Sequence, residues 1–117
     1  METIRFSKVR DVKSPTRGTY RSAGIDFYLP NHCDNDFWMI LPNDRILIPS
    51  GIKMEVPEGH VLVAFNKSGV STKKGLDVLA CVVDEDYQGE IHLSLYNTTN
   101  WPVVLKPGEK IVQFILN

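Results

Sequence analysis

A chain of 117 residues that is 43% hydrophobic and 23% charged has the material for one core and is too apolar for a disordered or low-complexity segment. Its 13 Lys and Arg against 14 Asp and Glu leave a formal net charge of -1, which excludes a general electrostatic attraction for a nucleic-acid backbone or an anionic membrane. Any anion it binds must be held by a local site.

Met1 to Val12 is mixed in charge and has no apolar stretch of signal-peptide length, and no segment approaches the ~20 apolar residues that span a bilayer. Gly24-Ile25-Asp26-Phe27 sets an acid between apolar neighbours; strand alternation puts Ile25 and Phe27 on one face and leaves Asp26 on the other, open to water. Asn31 to Trp38 reads as an irregular surface loop. Turn signals follow at Leu41-Pro42-Asn43-Asp44 and Pro49-Ser50-Gly51. Ile52, Met54 and Val56 alternate with Lys53 and Glu55, which predicts a strand over 52–56.

After the turn Pro57-Glu58-Gly59, the apolar run Val61 to Phe65 has strand length. Lys67 to Lys73 is the best candidate for a short helical turn, since no segment sustains a helical period. Ile91, Leu93 and Leu95 alternate with Glu90, His92 and Ser94, so His92 belongs to a polar strand face. Val103 to Leu105 predicts another strand, closed by Lys106-Pro107-Gly108. Many short strands at this spacing, without repeats or linkers, indicate a single all-β domain over residues 1–117, a sandwich or barrel.

Three segments carry candidate chemistry. Asn66-Lys67-Ser68-Gly69 offers a cation, a hydroxyl and a backbone that a ligand can approach closely, the elements of a phosphate seat. The same residues also suit an ordinary turn capped by Ser68. Asp84-Glu85-Asp86-Tyr87 places acids directly after the apolar run Val78 to Val83, where a carboxylate can act as general base or metal ligand; a solvated hairpin tip is the other reading. Asp26 is the third. His32, His60 and His92 are scattered, and Cys33 and Cys81 have neither CxxC nor metal-ligand spacing, which favours a reducing, cytoplasmic setting. The glycines at 69 and 75 do not make a P-loop.

In order, Ala23-Gly24-Ile25-Asp26-Phe27, Lys67-Ser68-Gly69-Val70, Val83 to Glu90 and Lys106 to Ile115 resemble the first four of the five motifs of the trimeric dUTPases. The resemblance covers almost the whole chain and implies a jelly-roll-type β-barrel that assembles as a homotrimer, with each active site built from more than one subunit. It implies hydrolysis of dUTP to dUMP and pyrophosphate by water attack on the α-phosphorus. Asp84 would be the general base and Tyr87 would pack under the deoxyribose. The main chain from Val78 to Val83 would read uracil, and Lys67, Ser68, Gly69 and Gln113 would hold the phosphates. Asp26 would bind Mg²⁺ through water.

The chain departs from the family at Lys67, commonly Arg, and at Leu79 and Cys81, which stand where related sequences often carry Gly. Glu109 and Lys110 keep the charges of the usual Asp and Arg. The sequence runs to Asn117, where the family continues into a further strand and a Gly-rich fifth motif; either a tail lies beyond these residues, or the protein ends here and weak turnover is expected without that lid. The competing functions are a deaminase of dCTP and a nucleotide-sensing or protein-binding module on the same scaffold. A nucleic-acid-binding barrel lacks support, since Trp38 and Trp101 have no basic stripe beside them.

Overall fold

The computed structural model describes residues 4–19, 21–31, 36–79 and 82–117. Among them, twelve strands follow in chain order: β1 (Arg5–Lys8), β2 (Thr16–Arg17), β3 (Ile25–Tyr28), β4 (Trp38–Ile40), β5 (Arg45–Pro49), β6 (Ile52–Glu55), β7 (Leu62–Asn66), β8 (Leu76–Val78), β9 (Val82–Val83), β10 (His92–Asn97), β11 (Val103–Leu105) and β12 (Lys110–Leu116). A single helical turn of π type, Val70–Lys74, separates β7 from β8. All strand pairings are antiparallel, in sheets ordered β2-β3-β12-β7-β9, β5-β10-β8, β1-β6 and β11-β4.

Period-two patterning explains the strands that the sequence reveals. In β6, Ile52 and Met54 are buried and Lys53 and Glu55 exposed; in β10, Leu93 and Leu95 go inward and His92 outward. β11 has the predicted bounds, and β7 runs one residue beyond the predicted stretch. The inward faces meet in one core that includes Phe27, Ile40, Ile48, Leu62, Leu93 and Phe114, with the Phe27 and Phe114 rings 4.5 Å apart. Each predicted turn contains one residue with positive φ: Asn43, Gly51, Gly59 and Gly108.

Other parts differ from expectation. The loop expected over 31–38 ends in β4, where Trp38 pairs with Leu105, while His32 and Cys33 lie outside the described residues. β5 escapes sequence reading because its outward Leu47 is 62% exposed, so that an apolar side chain occupies the wet face and blurs the alternation. The helical turn expected over 67–73 forms, with Ser68 and Gly69 already helical and Val70–Lys74 of π type, but no side chain caps it, so the Ser68-capped turn is not what forms.

The β5–β6 turn is tied to two distant segments. Gly51 accepts a hydrogen bond from Val9 N–H at 2.8 Å and donates its own N–H to Glu90 Oε2 at 2.8 Å. Glu90 also receives Arg10 through Nε at 2.8 Å and Nη2 at 3.3 Å. Gly51 has φ of 78°, and a Cβ there would lie 3.0 Å from side-chain carbons of Arg10 and Val12. Gly51→Ala is therefore expected to destabilise the fold by roughly 2 kcal/mol in urea unfolding, from the left-handed strain and the contact together.

The Arg10 hydrogen bond holds the Glu90 carboxyl below its ordinary value of 4.5; burial opposes this, and the Gly51 N–H and the nearby charges of Arg10 and His92 add to it. A lowered carboxyl pKa contributes stability that is present above the unfolded value and lost as pH falls through the folded one. Stability should thus fall as pH drops below about 4.5, and Glu90→Gln should flatten that part of the pH profile.

Candidate active site

The central strands of the five-stranded sheet bring three of the candidate residues together. β12 lies between β3 and β7, and its register sets Gln113 opposite Asp26 on one side and opposite Phe65 on the other. A bulge produces this alignment. Lys110 pairs with Tyr28 and Val112 with Phe27, so two steps on β12 match one on β3, and Ile111 is the extra residue. Without it, Val112 would stand against Asp26 and Gln113 against Ile25.

Asp26 does not face water: it is 4% exposed. The reason is the layer above the outer face of β3. Lys67, one residue past β7, donates from Nζ to Asp26 Oδ1 at 2.5 Å, and a Cβ at Gly18 would stand 3.9 Å from Oδ2. A carboxylate buried this far requires a partner, and Lys67, whose side chain is 26% exposed, supplies the charge while reaching solvent. One ammonium N–H is used on Asp26, which leaves two for another anion.

Gln113 lies against Gly24, where a Cβ would be 2.0 Å from Gln113 Oε1, and its Nε2 donates to Asn66 O at 2.8 Å. Gly24 thus leaves room for the Gln113 amide, which a side chain at this position would displace. Ser68 and Gly69 continue from Lys67 as exposed residues, and nothing lies within 4 Å of a Cβ placed on Gly69.

The remaining candidates gather elsewhere. Tyr87 N–H donates to Asp84 O at 3.1 Å, and Tyr87 Oη donates to Glu90 O at 2.7 Å. A Cβ on Gly89 would stand 2.6 Å from Tyr87 Oη, so glycine is needed under the phenol. Val83 is buried and Asp84 exposed. Within the acidic run, Glu85 accepts Gly59 N–H at 2.5 Å, while Asp84 and Asp86 are exposed. Val83 and Tyr87 line a cleft of about 280 Å³ with Leu47, Val82, Ile91, His92 and Ser94. Leu79 donates its N–H to Ser94 O, and Cys81 lies outside the described residues.

Asp26, Lys67 and Gln113 therefore form one cluster, and Val83, Asp84 and Tyr87 another. Val78 stands between, its N–H donated to Asn66 Oδ1 at 2.7 Å. Asn66 and Glu90 lie within the candidate segments but receive no role from the sequence, because their partners lie far along the chain and only folding makes the contacts. Among the described residues, no group of three or more His, Cys, Asp or Glu is arranged to hold a metal ion, and no helix is long and apolar enough to cross a membrane. Lys67→Met, which leaves Asp26 buried without its cation, should cost about 2 kcal/mol in urea unfolding. Asp26→Asn/Lys67→Met should recover much of that loss.

The dUTPase family model matches residues 10–117. A deoxyuridine 5'-triphosphate nucleotidohydrolase of the Wolbachia of Drosophila simulans is 34% identical over 119 aligned positions, spanning 100% of this chain and 76% of its own. The enzyme of the same name from Paramecium bursaria Chlorella virus 1 is 37% identical, over 92% of this chain and 73% of its own. Among solved structures, the dUTPase of Staphylococcus bacteriophage 80alpha superimposes with a TM-score of 0.89 at 17% identity, covering 100% of this chain and 90% of that one. The dUTPase of phage phi11 gives 0.89 over 99% and 90% at 17% identity, a likeness of fold. Matched along nearly its whole length, and folded as these proteins are, the chain belongs to the dUTPase family.

Proposed function

We propose that this protein hydrolyses dUTP to dUMP and pyrophosphate by directing water at the α-phosphorus. The observation that carries the reading is the Asp26, Lys67 and Gln113 cluster, which a β-bulge aligns and which keeps ammonium N–H groups available beside an open Ser68-Gly69 backbone. Relatives at 34% and 37% identity bear the name of this activity.

In this reading Lys67, Ser68, Gly69 and Gln113 hold the phosphate chain. Lys67 acts as a point charge rather than a planar fork, so it anchors phosphate without fixing two oxygens at once. Asp84, exposed at the start of its turn, takes the proton of the attacking water, which needs a base that solvent can reach. Tyr87, held by Glu90 O and backed by Gly89, packs under the deoxyribose and leaves no space for a 2′-hydroxyl. The Val78 to Val83 main chain reads the uracil edge.

A phage 80alpha dUTPase structure contains the analogue dUpNHpp, and a phi11 dUTPase structure is described with a structural Mg(II) ion. The residues present fit a magnesium that comes with its substrate: one buried carboxylate, Asp26, and, among the described residues, no preformed cage of ligands suit an ion that keeps its waters and sits on phosphate oxygens. Asp26 would hold it through water, and when bound it would supply positive charge against the charge shared by attacking and leaving oxygens.

A homotrimer with sites shared between copies accounts for the division of the candidate residues into two clusters within one chain. The test combines both claims. Pyrophosphate release from dUTP should far exceed that from dTTP, dCTP and UTP, and Asp84→Asn and Lys67→Met should each abolish it. Co-refolding these two inactive chains should restore roughly a quarter of the wild-type rate if they mix at random and each site takes base and cation from different subunits. Near-normal turnover by Asp84→Asn would remove that residue from its role. Ammonia release from dCTP would favour the deaminase, and dUTP binding without products the sensing module.

A further inference from the structure

We infer that Asn66 is a positioning residue that anchors, from the phosphate side of the molecule, the start at Val78 of the main chain that would read uracil, an inference that rests on the dUTP hydrolase reading for its effect on substrate choice. Asn66 ends β7, immediately before Lys67. Three of its polar groups take partners on two other strands, β8 and β12. Oδ1 accepts Val78 N–H at 2.7 Å, Nδ2 donates to Asp77 Oδ1 at 2.6 Å, and the main-chain carbonyl accepts Gln113 Nε2 at 2.8 Å.

Strand geometry shows why this side chain matters. β8 is the last strand of the sheet β5-β10-β8, paired only with β10 among the described strands. Leu79 gives its N–H to Ser94 O on β10, and alternation along an antiparallel strand then points Val78 N–H off the opposite edge. No strand of its own sheet is there to accept it. Asn66 does so from the other sheet, and its side-chain amide acts as one rung of a ladder between them. The Asp77 contact fixes the rotation of the amide, because the NH₂ must face the carboxylate for the oxygen to face Val78.

A single residue thereby holds both Gln113 on β12 and Val78, where the main chain that would read uracil begins. Without this contact the Val78 N–H loses its acceptor, and the main chain that would distinguish uracil loses its anchor at that end. The reaction itself, carried by groups elsewhere, keeps its machinery.

The test uses the full chain. Asn66→Ala should speed amide hydrogen exchange at Val78 about tenfold and lower the ratio of kcat/KM for dUTP over dTTP about tenfold, with kcat for dUTP within about threefold of wild type. Asn66→Asp should be no better, since it turns a carboxylate toward Asp77. The transposed pair Asn66→Asp/Asp77→Asn keeps the acceptor for Val78 and the donor-acceptor contact between the side chains, and should restore both measurements. Unchanged exchange at Val78 in Asn66→Ala, or faster exchange with unchanged selectivity, overturns the inference. If the wild-type chain releases no pyrophosphate from dUTP, the hydrolase reading fails separately. Val78 exchange and the relative binding of dUMP and dTMP then decide the role of Asn66: loss of preference with faster exchange supports it, and no change refutes it.

Discussion

A carboxylate buried in the outer layer of a β-sheet imposes conditions on everything near it. Asp26 is withdrawn from solvent, and an unpaired charge in that position would cost more than the surrounding contacts could offset. Lys67 meets the condition from just past the end of β7, where the chain leaves the sheet toward Ser68 and Gly69. The bulge at Ile111 meets it from between, by presenting the polar Gln113 rather than Val112 to Asp26. Gly24 leaves the space that the Gln113 amide occupies. A sheet that obeyed simple alternation throughout would be easier to form and would have no such cluster.

The acidic loop is built on other terms. Tyr87 is tied back to Glu90 O, and Glu90 in turn gathers Arg10 and the Gly51 turn. The loop that carries Asp84 is thus anchored to the framework at its far end, while Asp84 itself stays in solvent. The two clusters differ accordingly: one is a buried, charge-balanced seat, the other an exposed acid on a braced turn. On the proposed reading, a site shared between copies would give both clusters a common substrate.

Much of the framework was legible in the sequence where a strand has one wet face. Ile52 and Met54, Leu93 and Leu95, and the Val103–Leu105 run announce their strands, and the turns at Asn43, Gly51, Gly59 and Gly108 carry the residues that tolerate positive φ. β5 was hidden by the exposed Leu47, and β3 was misread at Asp26 because alternation says which side a residue takes but not what covers that side. The site residues were legible chiefly through the order of motifs resembling a known family. Their grouping was not, since the bulge at Ile111 and the reach of Asn66 to Asp77 and Val78 are products of pairing between distant segments.

The central claim is that water is directed at the α-phosphorus of dUTP, and the most direct measurement is hydrolysis in ¹⁸O-enriched water with Mg²⁺, followed by mass analysis of both products. The account predicts one ¹⁸O in the phosphate of dUMP and none in the pyrophosphate. Label in the pyrophosphate, or dUTP left intact by the folded protein, would contradict it.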